Sequence, residues 1–221
     1  MKSIIKISVI SFCVLALIAV PGFYFLTLNK DLSPNVNGKS VEGEGFSMPI
    51  RSVEQRREFF KQWAKEQEYF ASAEEARKVV PFDFRLPKSE LCGEFKGIYY
   101  VKQGPPELWW LYVPYNDEVT GICLWIEQRP DPPNCERYIK QLEQDMRSGI
   151  FKGDKLPVLV KVNGLSGIGA EPGYNVVHEM KEPRPGFVSW WENGIIYTLF
   201  GTEGEGGTPL GQLLEIANSM Y

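Results

Sequence analysis

The sequence predicts an α+β fold: an N-terminal transmembrane helix, then a mostly antiparallel curved sheet packed with helices, closing with a hairpin and a C-terminal helix. Three observations predict it. The apolar period changes from 3.6 to 2 after Val80, which separates helical from strand segments. The strand segments come in consecutive groups joined by short turn sequences, as antiparallel sheets require. Finally, Asn193-Gly194 stands between two apolar runs, the strongest short signal for a two-residue hairpin.

The first element is apolar and long. Lys2 and Lys6 are followed by no charge from Ile7 to Asn29. About 20 residues at ~1.5 Å rise cross a ~30 Å hydrocarbon layer, so residues 7–28 are expected to span a lipid bilayer. Pro21-Gly22 is tolerable in a membrane helix. A cleaved signal peptide is the alternative, but its apolar region is ordinarily shorter, ~7–15 residues, and no A-x-A precedes a cut. Cutting after Gly22 leaves Phe23-Tyr24-Phe25-Leu26 as an exposed terminus. Cys13 follows the bulky Phe12 and precedes most of the apolar stretch, which argues against lipid attachment. The two leading lysines place the N-terminus in the cytoplasm and the body outside. The expected organisation is an anchor with a short cytoplasmic tail over 1–28, a flexible tether over 29–50 and an extracytoplasmic domain over 51–221.

The tether, "NKDLSPNVNGKSVEGEGFSMPI", has no apolar period. Ser52-Val53-Glu54-Gln55 then forms a capping box, and Phe59, Phe60, Trp63 and Phe70 fall on one side of the helix it starts. Ser72 opens a second, short helix whose Ala76, Val79 and Val80 share a face before Pro81. Strands follow over Phe95–Lys102, Leu108–Val113 and Thr120–Gln128, separated by "QGPPE" and "PYNDE". After "RPDPPN" a helix over 136–148 places Tyr138, Ile139, Leu142 and Met146 together, with Gly149 as its C-terminal cap. Pro157–Asn163, Leu165–Ala170 and Tyr174–Met180 are further strands. Thr208 caps a terminal helix with Pro209 in its first turn, and Leu210, Leu213, Leu214 and Ala217 form its stripe.

The Asn193-Gly194 turn fixes the register of the last hairpin. Trp190 faces Tyr197, Trp191 faces Ile196, Ser189 faces Thr198, Val188 faces Leu199 and Phe187 faces Phe200. Val188, Trp190, Ile195, Tyr197 and Leu199 make one core face, which the terminal helix covers. The opposite face carries Phe187, Trp191, Ile196 and Phe200 around Ser189 and Thr198. A strand pair with one wet side shows polar residues there; this one is covered by its own helices, by a curved sheet, by a second copy or by a ligand. These four residues are therefore the candidate binding residues. Trp109 and Trp110 split across one strand; the outward one, with Trp125, is the alternative binding surface.

Composition narrows the function. Apolar residues make up 43% of the 221 and charged ones 24%, the balance of a folded chain. The net charge is −4; removing Lys2, Lys6 and Lys30 from the 24 basic residues leaves 21 against 28 acidic ones, or −7 over residues 31–221. Such a body is repelled by phosphate backbones, so no nucleic acid partner is expected. Cys92, Cys123 and Cys135 would lie where disulfides are allowed, but three is odd and their pairing is open. With no C-x-x-C spacing and His178 as the one histidine, no metal and no cofactor are expected. His178 and Glu179 point to opposite faces of a strand, and the histidine reads as structural. "GLSGIG", Gly164 to Gly169, has neither the nucleophile-elbow spacing nor the phosphate-loop lysine and reads as a turn between strands. "EGEG" at Glu203–Gly206 offers two carboxylates, too few for a calcium ion, and reads as a solvated loop.

Three blocks in the C-terminal part carry a resemblance: "LPVLVKVNGLSGIGAE", "VSWWENGIIYTLFG" and "LGQLLEIANSM". They resemble a bacterial extracytoplasmic domain family of unknown function, in which a V-x-V-x-G-x-x-G strand pair precedes a W-x-x-x-G-x-x-Y-x-L-x-G hairpin and a closing helix. The matching positions are Val160, Val162, Gly164 and Gly167; Trp190, Gly194, Tyr197, Leu199 and Gly201; and Leu213, Ile216, Ala217, Ser219 and Met220. The likeness covers 72–221 and is strongest over 156–221. It implies a sensory or interaction module behind a single span, in the manner of envelope, sporulation and anti-sigma-like proteins, without known catalytic residues. About six cytoplasmic residues are too few to hold a sigma factor.

The combined expectation is a non-catalytic, membrane-anchored module for protein interaction or envelope sensing, with a protein partner or self-association. The alternative is cell-wall carbohydrate or lipid binding through exposed aromatics. A hydrolase ranks below both, because no nucleophile–base set can be assembled.

Overall fold

Ten strands and five helices are described in a computed structural model, over residues 52–102, 109–129, 131–148, 155–177, 180–202 and 206–221. All of them lie within one unit, Ser52–Tyr221. The expected membrane span and tether, His178 and Gly149 lie outside the described residues. Among the described residues no helix is long and apolar enough to cross a membrane.

In chain order the elements are α1 (Val53–Ala64), β1 (Glu68–Phe70), α2 (Ala73–Arg77), α3 (Ser89–Cys92), β2 (Ile98–Val101), β3 (Trp110–Pro114) and β4 (Cys123–Gln128). There follow α4 (Cys135–Arg147), β5 (Val158–Val162), β6 (Leu165–Ala170), β7 (Gly173–Val177), β8 (Met180–Arg184), β9 (Phe187–Glu192), β10 (Ile195–Phe200) and α5 (Leu210–Asn218). The fold is α+β with a large antiparallel sheet and a C-terminal helix. Eight strands form that sheet in the order β1-β2-β3-β4-β10-β9-β6-β5, and β7 and β8 form a separate ladder. The C-terminal hairpin thus lies at the middle of the sheet, joining the N-terminal meander to the β5–β6 pair.

The turns set this arrangement. Asn193 and Gly194 both have positive φ (49° and 83°), as do Asn163 and Gly164 (46° and 83°), the pattern of the two-residue hairpin turn. The β9–β10 register matches the sequence expectation, from Ile196 opposite Trp191 to Phe200 opposite Phe187. "GLSGIG" differs: only Gly164 is turn, and Leu165–Ala170 is strand β6. Its glycines have a packing reason. A Cβ on Gly167 would run into the Ser189 carbonyl oxygen, and one on Gly169 would lie 2.5 Å from Leu210 Cδ1 of α5.

Each face of the sheet has its own cover. On one, Ile98, Tyr100, Leu111, Val113, Leu124, Ile126, Val188, Trp190, Tyr197 and Leu199 pack with Ala76, Val80, Phe84, Cys92 and the α5 residues Leu213, Ile216 and Ala217. On the other, α1 lays Phe60 and Trp63 over Tyr99, Trp110 and Tyr112. Helix α4 packs against β5 and β6. Placing a helix on each side of an antiparallel sheet explains why neither face alternates with polar residues.

Several boundaries depart from the sequence reading. The capping box of Ser52 and Gln55 forms (2.8 and 3.2 Å), but α1 stops at Ala64. Phe70 belongs instead to the edge strand β1, opposite Ile98, a strand too short to show a period. Val79 is exposed rather than on the buried face with Ala76 and Val80. The segment expected as one strand over Tyr174–Met180 is two, β7 and β8. Thr208 does not cap α5: its Oγ1 accepts from Thr202 N (3.1 Å), and Pro209 is the N-cap. The Glu171 carboxylate replaces it, accepting from Leu210 N at 3.0 Å, an anion placed where the helix dipole favours one. Arg184, almost fully buried, donates Nη2 to the Lys155 and Glu171 carbonyls and fixes that segment.

Candidate functional site

The sequence-predicted aromatic residues come together, but as an interior. Trp110 and Trp125 stack at 4.6 Å, Trp125 meets Phe200 edge-on at 5.8 Å, and Phe200 lies 6.2 Å from Phe187. Phe187, Ile196 and Phe200 are all buried, Phe200 at 6% exposure. Ser189 and Thr198 satisfy each other with a hydroxyl–hydroxyl hydrogen bond of 2.9 Å. Trp191 is half-buried and donates Nε1 to the Arg129 carbonyl at 3.0 Å. The described structure therefore leaves no open aromatic face at these four residues.

The alternative surface is divided as its alternation requires. Trp110 is buried on the α1 side, between Trp63 and Trp125. Trp109 packs edge-on against Tyr100 on the opposite side, and Lys102 lies over both rings. Among the described residues neither face offers an open stacking platform at Trp109 or Trp110. Burying six or more aromatic rings along one face also limits what the face can do chemically: Glu127, opposite Trp110 and Ile196, has its carboxyl pushed up by burial, partly offset by Arg129.

Among the described residues, two solvent-open features bear on binding. The first is the outer edge of β5. Among the described residues β6 is its one strand partner, and Val158 and Leu159 are 49% and 53% exposed. Val158 points to the α5 side, since its register partner Gly169 faces Leu210, and Leu159, opposite Ile168, points to the other face. Natural edge strands are ordinarily guarded by charge. Here the one charged side chain, Lys161, is turned onto its neighbour strand and donates to Ser166 Oγ at 2.7 Å. A sheet edge flanked by two exposed aliphatic side chains is a template for a further strand.

The second is a cleft of about 450 Å³ at the tip of the β9–β10 hairpin, between that tip and the segment Phe82–Arg85. The sequence reading did not single it out. Its signal was present in the alternation Phe82-Asp83-Phe84-Arg85, which sends Phe84 into the core and leaves Asp83 exposed. The exposed β5 edge was hidden for a different reason: "VLVKV" is apolar enough to read as a covered strand.

Among the described residues Cys92, Cys123 and Cys135 form no disulfide. Cys92, the last residue of α3, sits in the core, and burial pushes its thiol up to about 12. Among the described residues no three His, Cys, Asp or Glu side chains converge to hold a metal ion. No family model, curated protein or solved structure matches the chain.

Proposed function

We propose that this chain is a non-catalytic, membrane-anchored interaction module that binds a protein partner by strand addition at β5, acting outside the membrane that residues 7–28 span. The observation that carries the reading is the β5 edge, with Val158 and Leu159 exposed on either side of it. Backbone hydrogen bonds to an added strand supply affinity there, and the two aliphatic side chains supply contacts on both faces. The charge pattern of the first thirty residues supports the placement, and the resemblance over 72–221 to extracytoplasmic domains behind single spans agrees with it.

The incoming strand comes either from another protein or from β5 of a second copy, and both use the same edge. Crosslinking the full-length chain in its native membrane distinguishes them by adduct mass, a second copy adding 25.2 kDa. Val158→Lys with Leu159→Lys is expected to remove the adduct while leaving the melting temperature unchanged. An adduct that survives the double substitution contradicts strand addition. The anchor has its own test: alkaline carbonate leaves the chain in the membrane pellet, and a soluble chain beginning near Phe23 overturns that part of the reading.

A further inference from the structure

The cleft at the hairpin tip is a built site. Its floor is apolar: Ile195 and Phe84 are buried, and the Tyr197 ring is stacked on Trp190 at 5.2 Å. Its rim carries five planar polar side chains, those of Asp83, Arg85, Gln128, Glu192 and Asn193.

Two of these are held in place by a chain of contacts. Trp190 Nε1 donates to the Tyr221 hydroxyl at 3.2 Å, and that hydroxyl donates to Glu192 Oε2 at 2.6 Å. Glu192 Oε1 pairs with Arg85 Nη1 at 3.3 Å, and the Arg85 guanidinium lies 4.4 Å above the Tyr221 ring. Glu192 is only 16% exposed at its side chain. Arginine and carboxylate are thus fixed before any ligand arrives, which lowers the ordering cost of binding. Phe84 is clamped from behind by Arg77, whose guanidinium sits 5.2 Å from its ring.

Charge and shape restrict the ligand class. Asp83 and Glu192 oppose an anion. Arg85 already neutralises Glu192, so a cation would find one exposed carboxylate, Asp83, which by itself holds it weakly. A neutral ligand depends on neither charge. Each planar carboxylate, guanidinium or amide offers two in-plane polar atoms, a match for neighbouring hydroxyl groups. The apolar floor matches the C–H face of a ring, and the volume falls within the ~300–1,000 Å³ of small-molecule sites.

We propose that the cleft formed by Phe82–Arg85, Gln128 and the β9–β10 tip binds a neutral saccharide, its ring over Tyr197 and Ile195 and its hydroxyls on Asp83, Arg85, Gln128 and Glu192. This site is separate from the β5 edge and from the aromatic residues singled out in the sequence. It gives the module a small-molecule input in addition to its protein contact.

The test is calorimetric titration of the full-length chain in nanodiscs with cellobiose, chitobiose and maltose, alongside spermidine and inorganic phosphate. At least one disaccharide is expected to bind. Asp83→Ala with Gln128→Ala, both removed from the core, is expected to weaken that binding at least tenfold (order of magnitude for two lost hydrogen-bonding groups) without lowering the melting temperature. Absence of binding by all three sugars overturns the proposal. Spermidine or phosphate binding that the double substitution abolishes overturns it too, as does disaccharide binding that the substitution leaves unchanged.

Discussion

Trp190 and Tyr221 are joined by a hydrogen bond: the indole Nε1, on a side chain only 1% exposed, donates to the hydroxyl of the C-terminal residue at 3.2 Å. Tyr221 passes the contact on to Glu192 and through it to Arg85. Tyr221 therefore locks the tip of a hairpin that lies at the centre of the sheet. Tyr221→Phe keeps the ring under Arg85 but removes the acceptor. It is expected to lower stability by about 1 kcal/mol, read as a lower urea midpoint with an unchanged slope.

Leu213 is fully buried where α5 crosses the sheet. Leu213→Ala leaves a cavity that the surrounding β9 and β10 side chains cannot fill. A loss of about 2–5 kcal/mol is expected, measured by the same denaturation. Val79→Ala, by contrast, changes an exposed side chain in the turn after α2 and is expected to be close to neutral.

Asp117 ties α1 to the turn between β3 and β4. Burial raises its pKa, but hydrogen bonds from Thr120 N, Val119 N, the Thr120 hydroxyl and Arg57 outweigh that and hold it at about 2. An unfolded aspartate titrates near ~3.9. The folded value is the lower one, so this contribution is fully present above about pH 4 and is lost as the pH falls to about 2. Asp117→Asn is expected to flatten the acid limb of the stability curve in that window, as followed by tryptophan fluorescence.

Cys92 combines burial with a thiol pushed up to about 12. It is expected to resist maleimide in the native chain and to react once urea unfolds it, which mass spectrometry of the labelled peptides reads directly. Native labelling of Cys92 at the rate of a free thiol contradicts the packing of α3 against the core.

Much of this architecture was legible because local chemistry decides it. Asn193-Gly194 admits one hairpin register, and Ser52 with Gln55 admits one helix start. Other features depend on partners distant in sequence. Glu171 displaces Thr208 as the anion at α5, and Phe70 joins a sheet edge rather than continuing a helical stripe. The binding surface suffered most. Phe187, Ile196 and Phe200 do share a face around Ser189 and Thr198, but Trp125, Trp110 and, beyond them, Trp63 of α1 pack along that side, and no spacing in the sequence shows it. Exposed Val158 and Leu159 escaped notice because an aliphatic strand looks the same from its sequence whether it is central or at an edge.

The account turns on where the partner docks, and a photoreactive residue reports that most directly. p-Benzoylphenylalanine is placed at Leu159 in one full-length chain and at Phe200 in another, and both are irradiated in the native membrane. Strand addition at β5 predicts an adduct from position 159 and none from position 200. An adduct from position 200 with none from 159 would contradict it and return binding to the aromatic face.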